Sequence, residues 1–245
     1  LGAGLSGLAA ATILARAGRE VHVHEIREDS GARFDGDFQG IENWTSQVDF
    51  FDEMRDWGLE PEEFKSDDFE VIDLAHPDDV ISQPRTDGVA FRIVQRGTEE
   101  HTIDQALKRM AIESGAQIHY GSRRSPEDCN IVAAGPRESS AVAFGEIFHT
   151  DHPNHVTFQL NDKLAPGAYS YLIIIDGIGL ICTCLWRQQR KSGRYLNETI
   201  AWYEQHYDLN RKPIKRVGGK GDFGLPTKYM HEGRYYVGEA GGLQD

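Results

Sequence analysis

The chain opens on a glycine-rich turn, and this turn limits the fold more than any other feature. The first residues read LGAGLSGLAAATILARAGREVHVHE, so a turn over residues 2–7 leads into apolar residues at helical spacing, then Gly18 and a short strand. This is the order of a βαβ unit whose first strand precedes Gly2. Only Leu1 of that strand is present. We therefore expect these 245 residues to be the middle of a longer chain, with an open sheet position beside the strand that ends at Glu25.

The turn carries the spacing G-x-G-x-x-G, which is typical of dinucleotide-binding sites. The three glycines allow a tight turn, a close approach of the backbone to a pyrophosphate, and close packing of helix on strand. Glu25 follows the next strand, where a carboxylate accepts hydrogen bonds from the hydroxyls of an unphosphorylated ribose. The alternative is a glycine-rich turn that only caps a structural helix. The predicted cofactor-binding residues of this part of the chain are Gly2, Gly4, Leu5, Ser6, Gly7 and Glu25.

Charge and cysteine content exclude several classes of function. The formal net charge is −13, whereas a nucleic-acid groove or a basic membrane-surface helix needs clustered Lys and Arg. Three cysteines at 129, 182 and 184 predict reduced thiols and a cytoplasmic protein, with any membrane association arising through the substrate. Cys182 and Cys184 are too closely spaced for a tetrahedral zinc site, so we expect core side chains and no metal. The predicted partner is a small molecule.

The remaining segments predict a mixed arrangement of helices and strands. Helical patterns occupy residues 47–59, 102–114 and 195–207, and Thr102 and Gly115 have the positions of an N-cap and a C-terminal stop. Residues 28–45 suggest a long surface loop, and residues 69–94 suggest antiparallel strands. The apolar stretch 169–186 is long enough to form a transmembrane helix, but the Asp176-Gly177 pair inside it predicts a β-hairpin turn instead.

The opening segment, together with VGEAGGLQD near the end, resembles the FAD-dependent oxidoreductases of the hydroxylase-type fold. The resemblance implies FAD as cofactor and places the late segment beside its pyrophosphate and ribityl chain. Glu239 stands where that family has Asp, and Ala134 stands where aromatic hydroxylases have the Asp of an Asp-Gly pair that contacts NAD(P)H.

Arg96 matches an arginine on the flavin side, with a solvated surface arginine as the alternative. Arg33 lies in the loop after Glu25, where a guanidinium can donate two hydrogen bonds to a pyrophosphate, or remain solvated. The further cofactor-binding candidates are thus Arg33, Arg96, Gly135, Gly238, Glu239, Ala240 and Gly241.

A second resemblance lies in PGAYSYLII at residues 166–174, which is similar to the P-x-x-Y-x-W-x-F-P segment of geranylgeranyl reductases. Pro166 and Tyr169 match that pattern, and Tyr171 replaces Trp. On a strand Tyr169 and Tyr171 point to the same face, where they would line an apolar substrate cavity. The alternative is two ordinary core tyrosines in a sheet.

These observations predict an α/β fold, with a Rossmann-type FAD domain from residues 1–40, 92–142 and 216–245. A mostly antiparallel sheet domain for the substrate, from residues 41–91 and 143–215, is inserted between its pieces. The expected function is that of an FAD-dependent oxidoreductase similar to geranylgeranyl reductases, which delivers a flavin hydride to an apolar substrate. Its electron donor would be NAD(P)H or a reduced carrier protein. The alternatives are a flavin monooxygenase that uses NAD(P)H and oxygen, and a flavin-binding module without turnover.

Overall fold

The computed structural model describes residues 1–136, 139–222 and 229–243, which form a mixed α/β structure with several sheets. The α-helices of these residues are α1 (Leu5–Arg16), α2 (Phe50–Asp56), α3 (Ile103–Glu113) and α4 (Ser192–His206). The strands of the first half are β1 (His22–His24), β2 (Phe38–Glu42), β3 (Ser66–Phe69), β4 (Asp73–Ala75), β5 (Ile81–Ser82), β6 (Phe91–Gln95) and β7 (Gln117–His119). Those of the second half are β8 (Ile131–Val132), β9 (Ala141–His149), β10 (His155–Gln159), β11 (Ser170–Ile175), β12 (Ile178–Leu185), β13 (Lys212–Gly221), β14 (Met230–His231) and β15 (Arg234–Tyr236).

The helices begin and end close to their sequence signals. The Thr102 side chain caps α3 by accepting a hydrogen bond from the Gln105 N–H, and Gly115 follows the helix with a φ of 100°. Both predictions for this helix are therefore confirmed. The apolar faces of α1 and α3 pack together over the β1–β7 pair, in a core that includes Leu8, Val23 and Leu107.

The first two residues connect two small sheets. One sheet is the parallel pair β1–β7, and the other has the order β14-β15-β8. The Leu1 amino group donates to the Ile131 carbonyl at 2.7 Å, and the Ala133 N–H donates to the Leu1 carbonyl at 2.7 Å. On the other side the Gly2 N–H donates to the His24 carbonyl at 2.9 Å. Residues 1 and 2 thus hold β1 and β8 side by side, and the glycine turn begins at their carboxyl end.

A larger, mainly antiparallel sheet is built mostly from the second half of the chain, with β4 and β5 added from the first half. Its order is β13-β9-β12-β11-β10-β4-β5, and α4 packs on one of its faces. The other face packs against a three-stranded antiparallel sheet of order β2-β6-β3. Asp176 and Gly177 turn between β11 and β12 with φ values of 49° and 78°, so the predicted hairpin is confirmed. None of the helices in the described residues is both long and apolar enough to cross a membrane.

One expectation about organisation needs correction. The predicted loop over residues 28–45 contains β2, which pairs with β6 over its whole length, so residues 38–42 are a strand. The predicted domain boundaries after residues 40, 91, 142 and 215 fall inside β2, β6, β9 and β13. The division into two domains itself remains a prediction.

Candidate functional site

Gly2 and Gly7 are required by close backbone contacts. Gly2 has a φ of 99°, and a Cβ atom at this position would lie 2.2 Å from the Ala133 carbonyl oxygen. A Cβ on Gly7 would lie 2.0 Å from the Gly2 carbonyl oxygen. The first turn of α1 therefore packs directly on the turn before it, and that turn packs on the residue that follows β8. This arrangement explains two of the three glycines by packing alone.

Gly4 has a different environment. It is the N-cap of α1, its φ of −83° is open to any residue, and a Cβ built there meets no atom within 4 Å. No side chain caps the helix, and no acidic residue lies in its first turn. The open space in front of Gly4 therefore faces the positive end of the α1 dipole, which is an arrangement that binds phosphate groups.

Glu25 follows β1 and places its carboxylate beside the glycine turn. One oxygen accepts a hydrogen bond from the Ala3 N–H at 2.9 Å, and the other accepts one from the Arg27 N–H at 2.9 Å. The Glu25 backbone is fixed by bonds to His119 and Ser122. A carboxylate held beside a helix N-terminus in this way has lone pairs left to accept from ribose hydroxyls.

The late segment packs on the opening turn. Gly238–Gly241 forms a 3-10 turn, and a Cβ on Gly238 would lie 2.3 Å from Ser6 Oγ. Ala240 and Gly241 are buried, and Gly241 lies against the Tyr236 carbonyl oxygen. The first and last parts of the described chain thus meet at the N-terminus of α1.

Arg33 and Glu239 lie over the turn at Gly135. Arg33 Nη1 is 3.4 Å from Glu239 Oε2, and a Cβ on Gly135 would lie about 4 Å from both of these atoms. Burial raises the pKa of the Glu239 carboxyl above its ordinary value, while Arg33 and Arg96 lower it. Arg33 also donates to the Lys220 carbonyl. Arg33 is therefore not a solvated loop arginine, because it holds three distant segments together.

Arg96 is 8% exposed, which rules out the alternative of a solvated surface residue. Its Nε and Nη2 both donate to the Asp104 carboxylate at 2.8 Å, and its Nη1 donates to Gln39 Oε1 at 2.7 Å. The guanidinium also stacks on the Phe34 ring at 3.9 Å. The structure thus shows a structural role, and a role toward a cofactor remains a prediction.

Tyr169 and Tyr171 share one face of the large sheet, as predicted, and their ring centroids are 6.2 Å apart. Across the ladder, Cys182 pairs with Tyr171, and the Cys184 N–H donates to the Tyr169 carbonyl. The two thiols and the two phenols therefore lie next to one another on paired strands. Burial raises the pKa of both phenols, so these two side chains are uncharged at neutral pH.

The sequence did not indicate the further aromatic residues that pack against Tyr169 and Tyr171. Phe158 lies 6.2 Å from Tyr169 and stacks on Phe91 at 4.7 Å, and Phe91 meets the half-exposed Trp44 edge-on at 4.5 Å. Phe158 lies on β10 of the large sheet and Phe91 on β6 of the three-stranded sheet, so their contact depends on how the two sheets pack. With the two tyrosines these three side chains form a continuous aromatic cluster, in which Phe91 belongs to the buried core between the two sheets and Trp44 reaches the solvent.

The histidines next to Glu25 are bound to one another. His22 Nδ1 lies 3.1 Å from His119 Nε2, and the His24 ring stacks on His119 at 4.9 Å. His24 also bonds to Ser122. These contacts link β1 to β7 and its following loop, which agrees with a structural role. In the described part of the chain, no group of three or more His, Cys, Asp or Glu side chains is arranged to hold a metal ion.

Comparison with known proteins agrees with the fold expected from the opening turn. Residues 1–39 match the family described as NAD(P)-binding Rossmann-like domain. No curated protein matches the chain in sequence. Among solved structures, the chain is similar to a geranylgeranyl bacteriochlorophyll reductase-like protein from Thermoplasma acidophilum, with 18% identity and a TM-score of 0.76. That match covers 99% of this chain and 70% of the other.

Two further solved structures belong to flavoproteins of other activities. Aklavinone-11 hydroxylase, in a ternary complex with FAD and aklavinone, is 16% identical with a TM-score of 0.65, over 98% of this chain and 56% of that one. The flavin-dependent halogenase CmlS is 13% identical with a TM-score of 0.65, over 98% of this chain and 52% of that one. The chain thus spans little more than half the length of these two proteins. At such identities the likeness concerns the fold, and the predicted fold resemblance is confirmed.

Proposed function

We propose that this chain is the FAD-binding part of a flavin-dependent oxidoreductase. The observation that carries the proposal is the convergence of Gly4, Glu25 and the late segment on the N-terminus of α1. Close contacts require glycine at positions 2 and 7, but nothing in the part of the chain that the structure describes requires it at position 4. A backbone that must admit a pyrophosphate does require it. The residues present therefore fit a dinucleotide.

In this proposal each part of the site has a separate role. The N-terminus of α1 and Arg33 bind the pyrophosphate, Glu25 accepts hydrogen bonds from the ribose, and the segment Gly238–Gly241 closes the groove beside the ribityl chain. FAD, when bound, would supply the hydride chemistry. The FAD described in the complex of the related hydroxylase supports this choice of dinucleotide. Glu25 disfavours a 2′-phosphate, which argues against NADP at the same site.

The reaction we favour is reduction of an apolar, prenyl-like substrate. The support is the aromatic cluster of Tyr169, Tyr171, Phe158, Phe91 and Trp44, because it offers large apolar rings and reaches the solvent at the half-exposed Trp44. The resemblance in sequence to geranylgeranyl reductases and the likeness in fold to a related protein point the same way. The chain would orient the substrate by these rings and keep water away from it. The inserted substrate domain and the two-domain division belong to this proposal.

Monooxygenation is the second candidate, since a hydroxylase and a halogenase share the fold. The two reactions differ in what reoxidises reduced flavin. A reductase is expected to be reoxidised under argon by a prenyl alkene such as geranylgeraniol. A monooxygenase is expected to oxidise NAD(P)H in air, and to consume oxygen faster when an aromatic effector is present. Stopped-flow flavin absorbance with each oxidant separates them, and indifference to all of these compounds would favour a binding module without turnover.

Replacing Glu25 by alanine is expected to weaken FAD binding by at least about tenfold, or about 1.4 kcal/mol, because the ribose loses its hydrogen-bond acceptor. Fluorescence titration of apoprotein with FAD measures the dissociation constant. Glu28 is an exposed carboxylate three residues away, so Glu28→Ala is the matched control and should bind FAD like the wild type. Equal affinity of the Glu25→Ala variant and the wild type would remove the ribose assignment. A wild-type protein that binds no FAD would end the proposed function.

A further inference from the structure

The ion pair between Arg33 and Glu239 lies where three separate segments of the chain meet. Arg33 belongs to the loop after β1, and Glu239 belongs to the late turn that packs on Ser6. The Arg33 guanidinium also donates to the carbonyl of Lys220 near the end of β13. Both side chains are largely covered, with 32% of Arg33 and 22% of Glu239 exposed. The pair is thus a fixed contact beside the N-terminus of α1.

Among the described residues, the charged groups that act on Glu239 come from three segments of the chain. Arg33 approaches from the loop after β1, Arg96 from the end of β6, and Asp222 from the end of β13. Arg96 is already bound by the Asp104 carboxylate, so its charge is largely balanced. Gly135 and Ser6, which lie against the same turn, are uncharged. Arg33 is therefore the main group that favours the ionised form of a carboxyl whose pKa burial raises above its ordinary value.

A pyrophosphate at the N-terminus of α1 would change this balance. Gly238 packs on Ser6 in the first turn of α1, so the neighbouring Glu239 is close to any phosphate bound there. A doubly charged pyrophosphate is a stronger acceptor for a guanidinium than one carboxylate. It would draw Arg33 away from Glu239 and would also repel the carboxylate. Both effects favour a neutral Glu239.

We propose that Arg33 changes partner when the dinucleotide binds, from Glu239 to the pyrophosphate, and that Glu239 takes up one proton from solvent in the same step. This inference rests on the proposed function, because it assumes that a dinucleotide pyrophosphate binds at α1. No covalent bond is made or broken, and the only exchange with solvent is the proton that ends on the Glu239 carboxyl. Glu239 thereby makes cofactor affinity depend on pH.

The direction of the dependence follows from the two states of Glu239. Its pKa is higher in the complex than in the apoprotein, so the complex binds more protons between those two values. FAD affinity therefore increases as the pH falls through this interval, by at most about tenfold per pH unit for one proton. Below the pKa of the apoprotein and above that of the complex, the affinity no longer changes with pH.

The test is isothermal titration of apoprotein with FAD between about pH 5.5 and 8.5, in pairs of buffers with different ionisation enthalpies. We expect the wild type to take up a measurable fraction of one proton and the Glu239→Gln variant to take up none, with a dissociation constant independent of pH. Glu113 is exposed at the end of α3, so Glu113→Gln is the control and should behave like the wild type. In the apoprotein of the Arg33→Gln variant, Glu239 no longer has the Arg33 guanidinium beside it. This variant should bind FAD more weakly and take up a smaller fraction of a proton.

Two outcomes overturn the inference while leaving the proposed function intact. One is FAD binding by the wild type without proton uptake, and the other is the same uptake in Glu239→Gln as in the wild type. Failure of the wild type to bind FAD would instead contradict the proposed function. A thermal unfolding curve of each apoprotein shows that the variants are folded, so loss of folding cannot be mistaken for any of these results.

Discussion

Replacing Gly7 by alanine is expected to destabilise the protein by about 2–3 kcal/mol and to abolish dinucleotide binding. The new Cβ would lie 2.0 Å from the Gly2 carbonyl oxygen and 3.3 Å from Ala133 Cβ. Gly2 cannot move aside, because its N–H is bonded to His24 and its own Cα lies against the Ala133 carbonyl. Relief of the contact would therefore separate α1 from the turn. Chemical denaturation followed by circular dichroism measures the loss.

Gly4→Ala is the matched comparison for this prediction. Its backbone angles suit alanine and a Cβ meets no atom within 4 Å, so the variant should be as stable as the wild type to within about 0.5 kcal/mol. The same methyl group would occupy the space in front of the α1 N-terminus and should weaken FAD binding by about tenfold or more. Wild-type affinity in Gly4→Ala would show that no ligand approaches the backbone there. Wild-type stability in Gly7→Ala would show that the turn is not packed as described.

Local signals in the sequence predicted the elements that depend on neighbouring residues. Thr102 and Gly115 predicted where α3 begins and ends, because helix capping and a positive φ each depend on a single residue. The Asp176-Gly177 pair predicted the hairpin turn between β11 and β12, because both residues of the turn have a positive φ. The length of the helix and strand after the glycine turn brings the Glu25 carboxylate back to that turn, where it accepts a hydrogen bond from the Ala3 N–H, and its role toward a ribose remains a prediction. In each case the physical requirement and the residue that meets it are close in sequence.

Contacts between distant segments were the part that could not be predicted. Strand β2 was missed because glycine and aspartate dominate its surroundings, and only pairing with β6 more than 50 residues later makes it a strand. The need for glycine at position 31 could not be predicted either. It arises because a Cβ there would lie 2.1 Å from the Gly97 carbonyl oxygen, which is distant in sequence. That contact depends on how the loop after β1 packs under the start of α3. The aromatic neighbours of Tyr169 likewise depend on sheet order, which a single sequence does not determine.

Arg96 illustrates how a distant partner changes the interpretation of one residue. From sequence it was either a cofactor ligand or a solvated side chain, and neither alternative included burial against Asp104. The bidentate pair forms because Arg96 directly follows β6 and Asp104 lies in the first turn of α3. A turn of only a few residues joins the two elements and sets the distance between them. The pair thus fixes α3 against the end of β6.

Replacing Asp104 by alanine is expected to be the most destabilising change on this side of the site, at about 3–5 kcal/mol. Asp104 is fully buried and also accepts a hydrogen bond from the Gly97 N–H at 3.0 Å. Its loss would leave a buried guanidinium and a buried N–H without their acceptor, and Gln39 can satisfy only part of the Arg96 fork. Urea denaturation of the variant and the wild type measures the difference.

The control for Asp104 is Asp52, which pairs with Arg55 on the exposed face of α2. Asp52→Ala should cost no more than about 0.5 kcal/mol, because an exposed pair at this spacing contributes little. Comparable losses for the two variants would mean that the Arg96–Asp104 pair is not buried as described. Removing both partners in an Arg96→Leu, Asp104→Leu double variant should recover much of the stability, since no unpaired charge remains. FAD titration of that double variant then decides the role of Arg96: wild-type affinity assigns it to structure alone, whereas weaker binding by a stable protein assigns it to the cofactor as well.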